Sequence, residues 1–169
     1  MEPLLFALIA QGLIGGADVI VNHELIAQVP AQRNTGPEEI LHSARELIFG
    51  TLFFALAWFE WHGVAALFIA GLLAAELVVS TVDTVLEFET RVLPVTERIA
   101  HVFLFVNMGI LLTLAGQALM AWGDRPSAIV GVDYGGFSWV LSALAVLALG
   151  WCVRDGVNAL RRLRPVAAR

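Results

Sequence analysis

Glutamate, aspartate and histidine side chains recur at helical spacing in this chain, and together they have the composition of a metal site. Glu38, His42 and Glu46 are spaced four residues apart, and Glu97 and His101 repeat the same interval. Residues four apart lie on one face of an α-helix. Carboxylate oxygens and imidazole nitrogens are ligands for iron, manganese and zinc. The spacing therefore predicts two helices that each present metal ligands on one face.

Two further segments contribute residues of the same types. At about 100° per residue, Glu76, Asp83 and Glu87 of one segment fall within about 60° of one another. The first apolar segment of the chain adds Asp18, with His23 at the margin of the same face. We therefore expect four segments to contribute polar side chains to one shared site.

The composition indicates where such helices reside. Hydrophobic residues make up 59% of the 169 residues, and the mean hydropathy is +0.80, above the level of soluble domains. Five apolar segments are long enough to cross about 30 Å of hydrocarbon. They run over residues 3–28, 37–59, 63–89, 96–122 and 136–160. The sequence predicts an all-α fold, a polytopic membrane helical bundle of about five transmembrane helices, four of which form an antiparallel metal-binding bundle.

The arginines predict the orientation of the bundle. On this map nine of the ten arginines fall on one side and only Arg125 on the other. By the positive-inside rule the arginine-rich side is cytoplasmic. We therefore expect a bacterial inner (cytoplasmic) membrane protein with its N-terminus outside, its C-terminus in the cytoplasm and its polar site toward the cytoplasmic side.

The domain organisation is expected to be simple. Residues 1–169 form a single transmembrane domain. Within it, residues 1–60 and 63–122 resemble each other in the positions of their polar residues. This similarity predicts paired helical hairpins. Residues 136–162 add an extra helix outside them.

Acids at membrane depth need partners. An ionised carboxylate there costs on the order of 3 kcal/mol or more, so these residues should face the bundle interior. Arg45 and Arg91 are expected near the relevant faces and Arg33 and Arg98 near the mouth of the bundle, fewer arginines than the acids require. The sequence therefore predicts either that several acids are protonated or that multivalent cations are bound.

One short motif matches a known architecture. Glu39-Ile-Leu-His42 is a Glu-x-x-His sequence on the second of four helices, and it resembles the ferritin-like di-iron carboxylate family, whose bundles use such motifs. The resemblance is architectural and covers roughly residues 11–108. It implies a di-metal bundle without identifying a reaction. The fourth helix departs from the family pattern because its motif is one residue longer, and Glu38 replaces Glu39 if the two halves of the chain match.

The predicted metal ligands come from all four segments. They are His42, Glu46, Asp83, Glu87, Glu97 and His101, with Glu38, His23 and Asp18 as further candidates. Asn22, Arg45 and Glu76 are expected to lie around these ligands and orient them, and Glu76 could also act as a protonated acid or proton relay. No catalytic residue is predicted.

The leading functional prediction is a membrane-embedded di-metal oxidoreductase or oxygenase with two metal ions, iron first and manganese or zinc as alternatives. Its expected partners are the lipid bilayer, a lipophilic small-molecule substrate and an electron-donor protein or quinone. A homo-oligomer is left open. The alternatives are a metal-ion or proton-coupled transporter and a haem b protein with His42 and His101 as axial ligands.

Other function classes are excluded or disfavoured. The net charge of −5 argues against nucleic acid as a partner. The chain has no lysine for a Schiff base, and its single cysteine, Cys152, cannot form an internal disulfide. His62 and Glu60 are expected to be solvated residues in the turn between the second and third helices.

Overall fold

The structure is a computed structural model, and it describes residues 1–26, 36–90 and 92–163. Five α-helices make up most of this described chain. They are α1 (Glu2–Asp18), α2 (Gly36–Trp58), α3 (Ala66–Thr90), α4 (Val95–Gly123) and α5 (Gly136–Leu163). The predicted all-α fold with five long apolar segments is confirmed, and each segment is apolar enough to cross a membrane. The predicted end of the first segment, Gln28, lies outside the described residues.

The helices pack around α2. This helix lies against α5 along much of its length and also against α3, while α1 packs on α4. Gly50 of α2 allows the close approach of α5, because a β-carbon there would lie only 2.8 Å from Leu149 Cγ. Small residues at helix contacts allow backbones to approach in this way.

The interior of the bundle has an apolar half and a polar half. The apolar half is filled by fully buried leucines from α1, α2 and α4, among them Leu8, Leu52 and Leu111. The polar half lies toward the C-terminal ends of α1, α3 and α5 and the N-terminal ends of α2 and α4. We call this second region the polar end of the bundle.

A two-stranded ribbon closes the opposite end. Strand β1 (Phe59–His62) follows α2 directly, and it pairs antiparallel with β2 (Ala128–Gly131) in the connection between α4 and α5. The ribbon therefore ties the α2–α3 connection to the α4–α5 connection. We call this the ribbon end.

The expectation that His62 and Glu60 form a solvated turn was wrong. His62 is buried, and its Nε2 atom lies 2.8 Å from Glu60 Oε2 and 3.0 Å from Arg125 Nη1. Arg125 also donates to Glu60 at 3.0 Å. The strand pairing that produces this network joins residues far apart in the chain, so no local sequence pattern announces it.

We predict that the phenol of Tyr134 titrates with a raised pKa. Tyr134 donates a hydrogen bond to Glu60 Oε1 at 3.4 Å. Burial and the negative charge of Glu60 raise the pKa of the Tyr134 phenol to about 12, from an ordinary value of about 10. Tyr134 is the only tyrosine of the chain, so the ultraviolet absorbance of phenolate reports on it alone. The folded protein holds this proton more tightly than the unfolded chain. Its contribution to stability is therefore complete below pH of about 10 and is lost as the pH rises through about 12.

Glu60→Gln is the matched variant for this titration. It keeps the shape of the side chain and removes its charge, so the midpoint of the Tyr134 titration should fall toward the ordinary value. An ordinary midpoint in the unmodified protein would contradict the prediction.

Candidate metal centre

A π-helix shapes the first part of the site. It spans Val19–Ile26, directly after α1, and its buried residues are Asn22 and His23. In a π-helix residues five apart lie nearly above one another because the hydrogen bonds run from i to i+5. His23 therefore falls on the same side as Asp18, with its Nε2 atom 3.8 Å from Asp18 Oδ2. α-Helical rotation throughout would leave His23 only at the margin of this face, which is where it was predicted.

The other three helices of the site supply two residues each. Their side chains meet those of Asp18 and His23 at the polar end, where all are buried except the half-buried His101. We call this group the histidine–carboxylate cluster. It consists of Asp18 and His23, Glu38 and His42 of α2, Asp83 and Glu87 of α3, and Glu97 and His101 of α4.

Glu87 lies between two histidines of different helices. Its Oε1 atom is 3.7 Å from His42 Nε2, and its Oε2 atom is 3.6 Å from His101 Nδ1. Each carboxylate oxygen therefore faces a separate imidazole. A carboxylate placed in this way has the position of a bridge between two cations.

The remaining distances match those of ligands around an ion. His23 Nε2 lies 3.0 Å from Glu97 Oε1, and His42 Nε2 lies 3.5 Å from Asp83 Oδ2. Nitrogen and oxygen donors bind zinc at about 2.1 Å, so two donors on one ion are about 3.0 to 3.4 Å apart. The observed separations are in or slightly above this range, which leaves room for an ion to draw the donors together.

Three overlapping groups of donors could each hold an ion, because their ligand atoms lie within 4.8 Å of one another. They are His42 with Asp83 and Glu87, His23 with Glu87, Glu97 and His101, and His23 with Glu38 and His42. His23, His42 and Glu87 each belong to two of these groups. The overlap suits two adjacent ions better than a single one.

Several buried ligand atoms lack a hydrogen bond of good geometry within the described residues, although both histidine nitrogens among them face carboxylate oxygens. They are Nε2 of His23, Nε2 of His42 and Oδ1 of Asp83, all of them buried. A buried polar atom without a partner costs about 1–3 kcal/mol. Cations held beside His23 and beside the His42–Asp83 pair would satisfy these atoms, so the residues fit metal ions on physical grounds.

Asp18 belongs to none of the three groups and contacts a histidine instead. Its Oδ2 atom lies 3.3 Å from His101 Nε2, and its Oδ1 atom accepts a hydrogen bond of 2.6 Å from Asn22. Asn22 in turn accepts a hydrogen bond of 2.6 Å from the Thr96 hydroxyl. This chain is suited to fixing the His101 ring, as carboxylates behind metal-bound histidines do. The sequence analysis missed Thr96, since it is 74 positions from its partner and no spacing rule connects them.

Arg45 connects the cluster to a deeper acid, a link that was not predicted from the sequence. It donates to Asp83 Oδ2 at 3.0 Å and to Glu76 Oε1 at 3.3 Å. Glu76 is fully buried and also accepts a hydrogen bond of 2.6 Å from Ser80. Arg45 therefore holds Asp83 in place at the same carboxylate oxygen that faces His42.

Two other acids of α2 lie outside the three groups. Glu46 lies one turn beyond His42, and its Oε2 atom is buried without a hydrogen-bond partner within the described ranges. Glu39 faces α5, where its Oε2 atom is 3.4 Å from Arg162 Nε. Glu38, four residues before His42, is the acid that joins the histidines.

Two arginines expected near the cluster or its mouth, Arg91 and Arg33, lie outside the described residues. Glu24, next to His23 in the chain, pairs with Arg154.

Comparison with protein-family models, curated proteins and solved structures finds no match to this chain. The resemblance to ferritin-like bundles stays a prediction, and the site is interpreted from its own geometry.

We predict that Arg45→Met destabilises the protein by about 3–5 kcal/mol, because it leaves two buried carboxylates without their cation. The measurement is the free energy of unfolding in mixed detergent micelles. Glu76→Gln removes one of the stranded charges, so the double variant should be more stable than the sum of the single effects predicts. Strictly additive effects of the two substitutions would show that Arg45 and Glu76 are not coupled.

Proposed function

We propose that the protein is an integral membrane protein whose five helices span a lipid bilayer. Large apolar side chains cover its outer surface: Phe88 is 69% exposed, Val106 59% and Val146 71%. Soluble monomers rarely expose large contiguous apolar patches. Within the described residues, arginines are concentrated at the polar end, and Arg125 is at the ribbon end. This distribution supports a cytoplasmic polar end in an inner membrane, with the N-terminus outside.

Reporter fusions test this orientation. Green fluorescent protein fused after Arg169 should be fluorescent, and alkaline phosphatase fused there should be inactive, because the C-terminus is expected in the cytoplasm. The matched control is an insertion of each reporter beside Asp124, on the other side of the membrane, where the two signals should be reversed. The opposite pattern would invert the proposed topology.

We propose further that the histidine–carboxylate cluster binds two metal ions. The observation that carries this proposal is the position of Glu87, with one oxygen toward His42 and the other toward His101. His42 and Asp83 would hold one ion together with Glu87. His23, Glu97 and His101 would hold the other, with Glu87 as the bridge.

The remaining polar residues would support this pair of ions. Glu38 lies beside His23 and His42 and would complete the coordination. Asp18 would orient His101, and Arg45 would orient Asp83, by the contacts described above.

We propose iron as the metal, with manganese or zinc as alternatives, because the donors are carboxylates and imidazoles. Bound iron supplies electron-transfer and oxygen chemistry that side chains lack. We therefore propose an oxidoreductase or oxygenase for a lipophilic substrate, with electrons from a donor protein or a membrane quinone.

The geometry supports this proposal over the two alternatives. A transporter needs a polar path across the bundle, whereas the half beyond Glu76 is filled with buried leucines in the described part of the chain. A haem needs the space between His42 and His101, and the Glu87 carboxylate lies there.

Metal analysis tests the di-metal proposal. Protein purified in detergent from iron-supplemented cells should contain about two metal ions per chain, as di-metal bundles do, and an X-ray absorption edge identifies the element. Glu87→Ala should remove both ions, since both depend on the bridge. His42→Ala should remove at least one.

The matched control for these variants is His62→Ala, which removes a buried histidine at the ribbon end and should keep the full metal content. Folded Glu87→Ala protein with its metal content unchanged would overturn the proposal, and so would unmodified protein that lacks metal.

A further inference from the structure

A cavity of about 210 Å³ adjoins the histidine–carboxylate cluster. It lies between α1, α2 and α5, and its wall includes His23 and His42 at one end and Phe53 and Leu144 at the other. The cavity is therefore in contact with the proposed metal ligands and extends from them into the apolar half of the bundle.

The wall of the cavity changes from polar to apolar along α2. His42 and Arg45 are followed on the same wall by Phe49 and Phe53. The distance along the helix axis from residue 42 to residue 53 is about 16 Å at 1.5 Å per residue. An elongated, mostly apolar space of modest volume suits a single chain of carbon atoms.

Three glycines of α1, Gly12, Gly15 and Gly16, line the cavity. A β-carbon on Gly12 would lie 2.9 Å from Leu144 Cδ1, so α1 and α5 touch there. Gly16, one turn closer to the cluster, is exposed, and a β-carbon there would meet no atom within 4 Å. The cavity is thus closed at Gly12 and open to the outer, apolar surface of the bundle beside Gly16.

We propose that this cavity binds one unbranched alkyl chain, which enters from the bilayer beside Gly16 and places a carbon atom next to His23 and His42. The proposal rests on the proposed function and names its substrate class: an alkyl lipid or another compound with a linear hydrocarbon chain. An apolar protein cavity of about 150 Å³ holds a benzene molecule. By proportion this cavity holds a chain of about eight carbon atoms.

Trp151 provides a direct measurement of binding, because it is the tryptophan that lines the cavity. Bromine quenches indole fluorescence on contact, so 1-bromooctane should quench the protein in detergent with a saturable component in addition to the linear quenching from the micelle. Trp151→Phe should abolish that saturable component. The bulky 1-bromoadamantane should give only the linear quenching.

The decisive variant is one that fills the cavity. Ala148→Phe places a large side chain on the cavity wall contributed by α5. It should weaken the apparent affinity for 1-bromooctane, measured from the saturable quenching, at least tenfold. Ala143→Phe is the matched control, because it makes the same change on an exposed position of the same helix outside the cavity. It should bind 1-bromooctane as the unmodified protein does.

The metal content of each variant separates this proposal from the preceding one. Ala148→Phe should keep its metal while losing the alkyl chain. If the unmodified protein holds metal but 1-bromooctane quenching is linear, or is equally saturable in Ala148→Phe, the alkyl site is wrong and the metal centre stands. If saturable binding is found without metal, the cavity is an alkyl site and the di-metal proposal fails.

Discussion

The polar end of this protein depends on one buried carboxylate placed between imidazoles from two different helices. Glu87 projects from α3 toward His42 of α2 and His101 of α4, and it is almost completely buried. Burying a charged group costs several kcal/mol unless its partners are well placed. The packing of α2 and α4 against α3 is therefore constrained by this contact. The apolar half of the bundle provides the stability that such a concentration of polar groups requires.

The parts of the site that follow α-helical spacing were predictable from the sequence. Glu38 and His42, Asp83 and Glu87, and Glu97 and His101 are each four residues apart, and all six residues reach the cluster. The apolar length of the five helices was predictable for the same reason, because it depends only on consecutive residues.

The remaining features arise from geometry that local patterns do not encode. His23 reaches the interior through a π-helix, and the identical sequence in an α-helix would turn it aside. The ribbon pairs two strands that are separated by the whole of α3 and α4. Glu46 follows the same spacing as His42, yet it lines the cavity and belongs to none of the three donor groups.

The fifth helix, α5, contributes side chains to the region around the histidine–carboxylate cluster. The sequence analysis set it outside the paired hairpins, and it does lie outside the histidine–carboxylate cluster. It nevertheless contributes Leu144 and Trp151 to the wall of the cavity and pairs with Glu39 of α2 through Arg162. The outer helix thus shapes the space beside the cluster.

The ribbon also constrains the five helices unequally. It fastens α2 and α3 to α4 and α5 at one end of the bundle, and α1 contributes no strand to it. A sideways displacement of α1 would break no ribbon hydrogen bond, whereas separation of the other helices at that end would break several. The first helix, which carries Gly16, is therefore held by its packing on α4 and by the contacts of Asp18 and His23 at the polar end, and the ribbon adds no constraint to it.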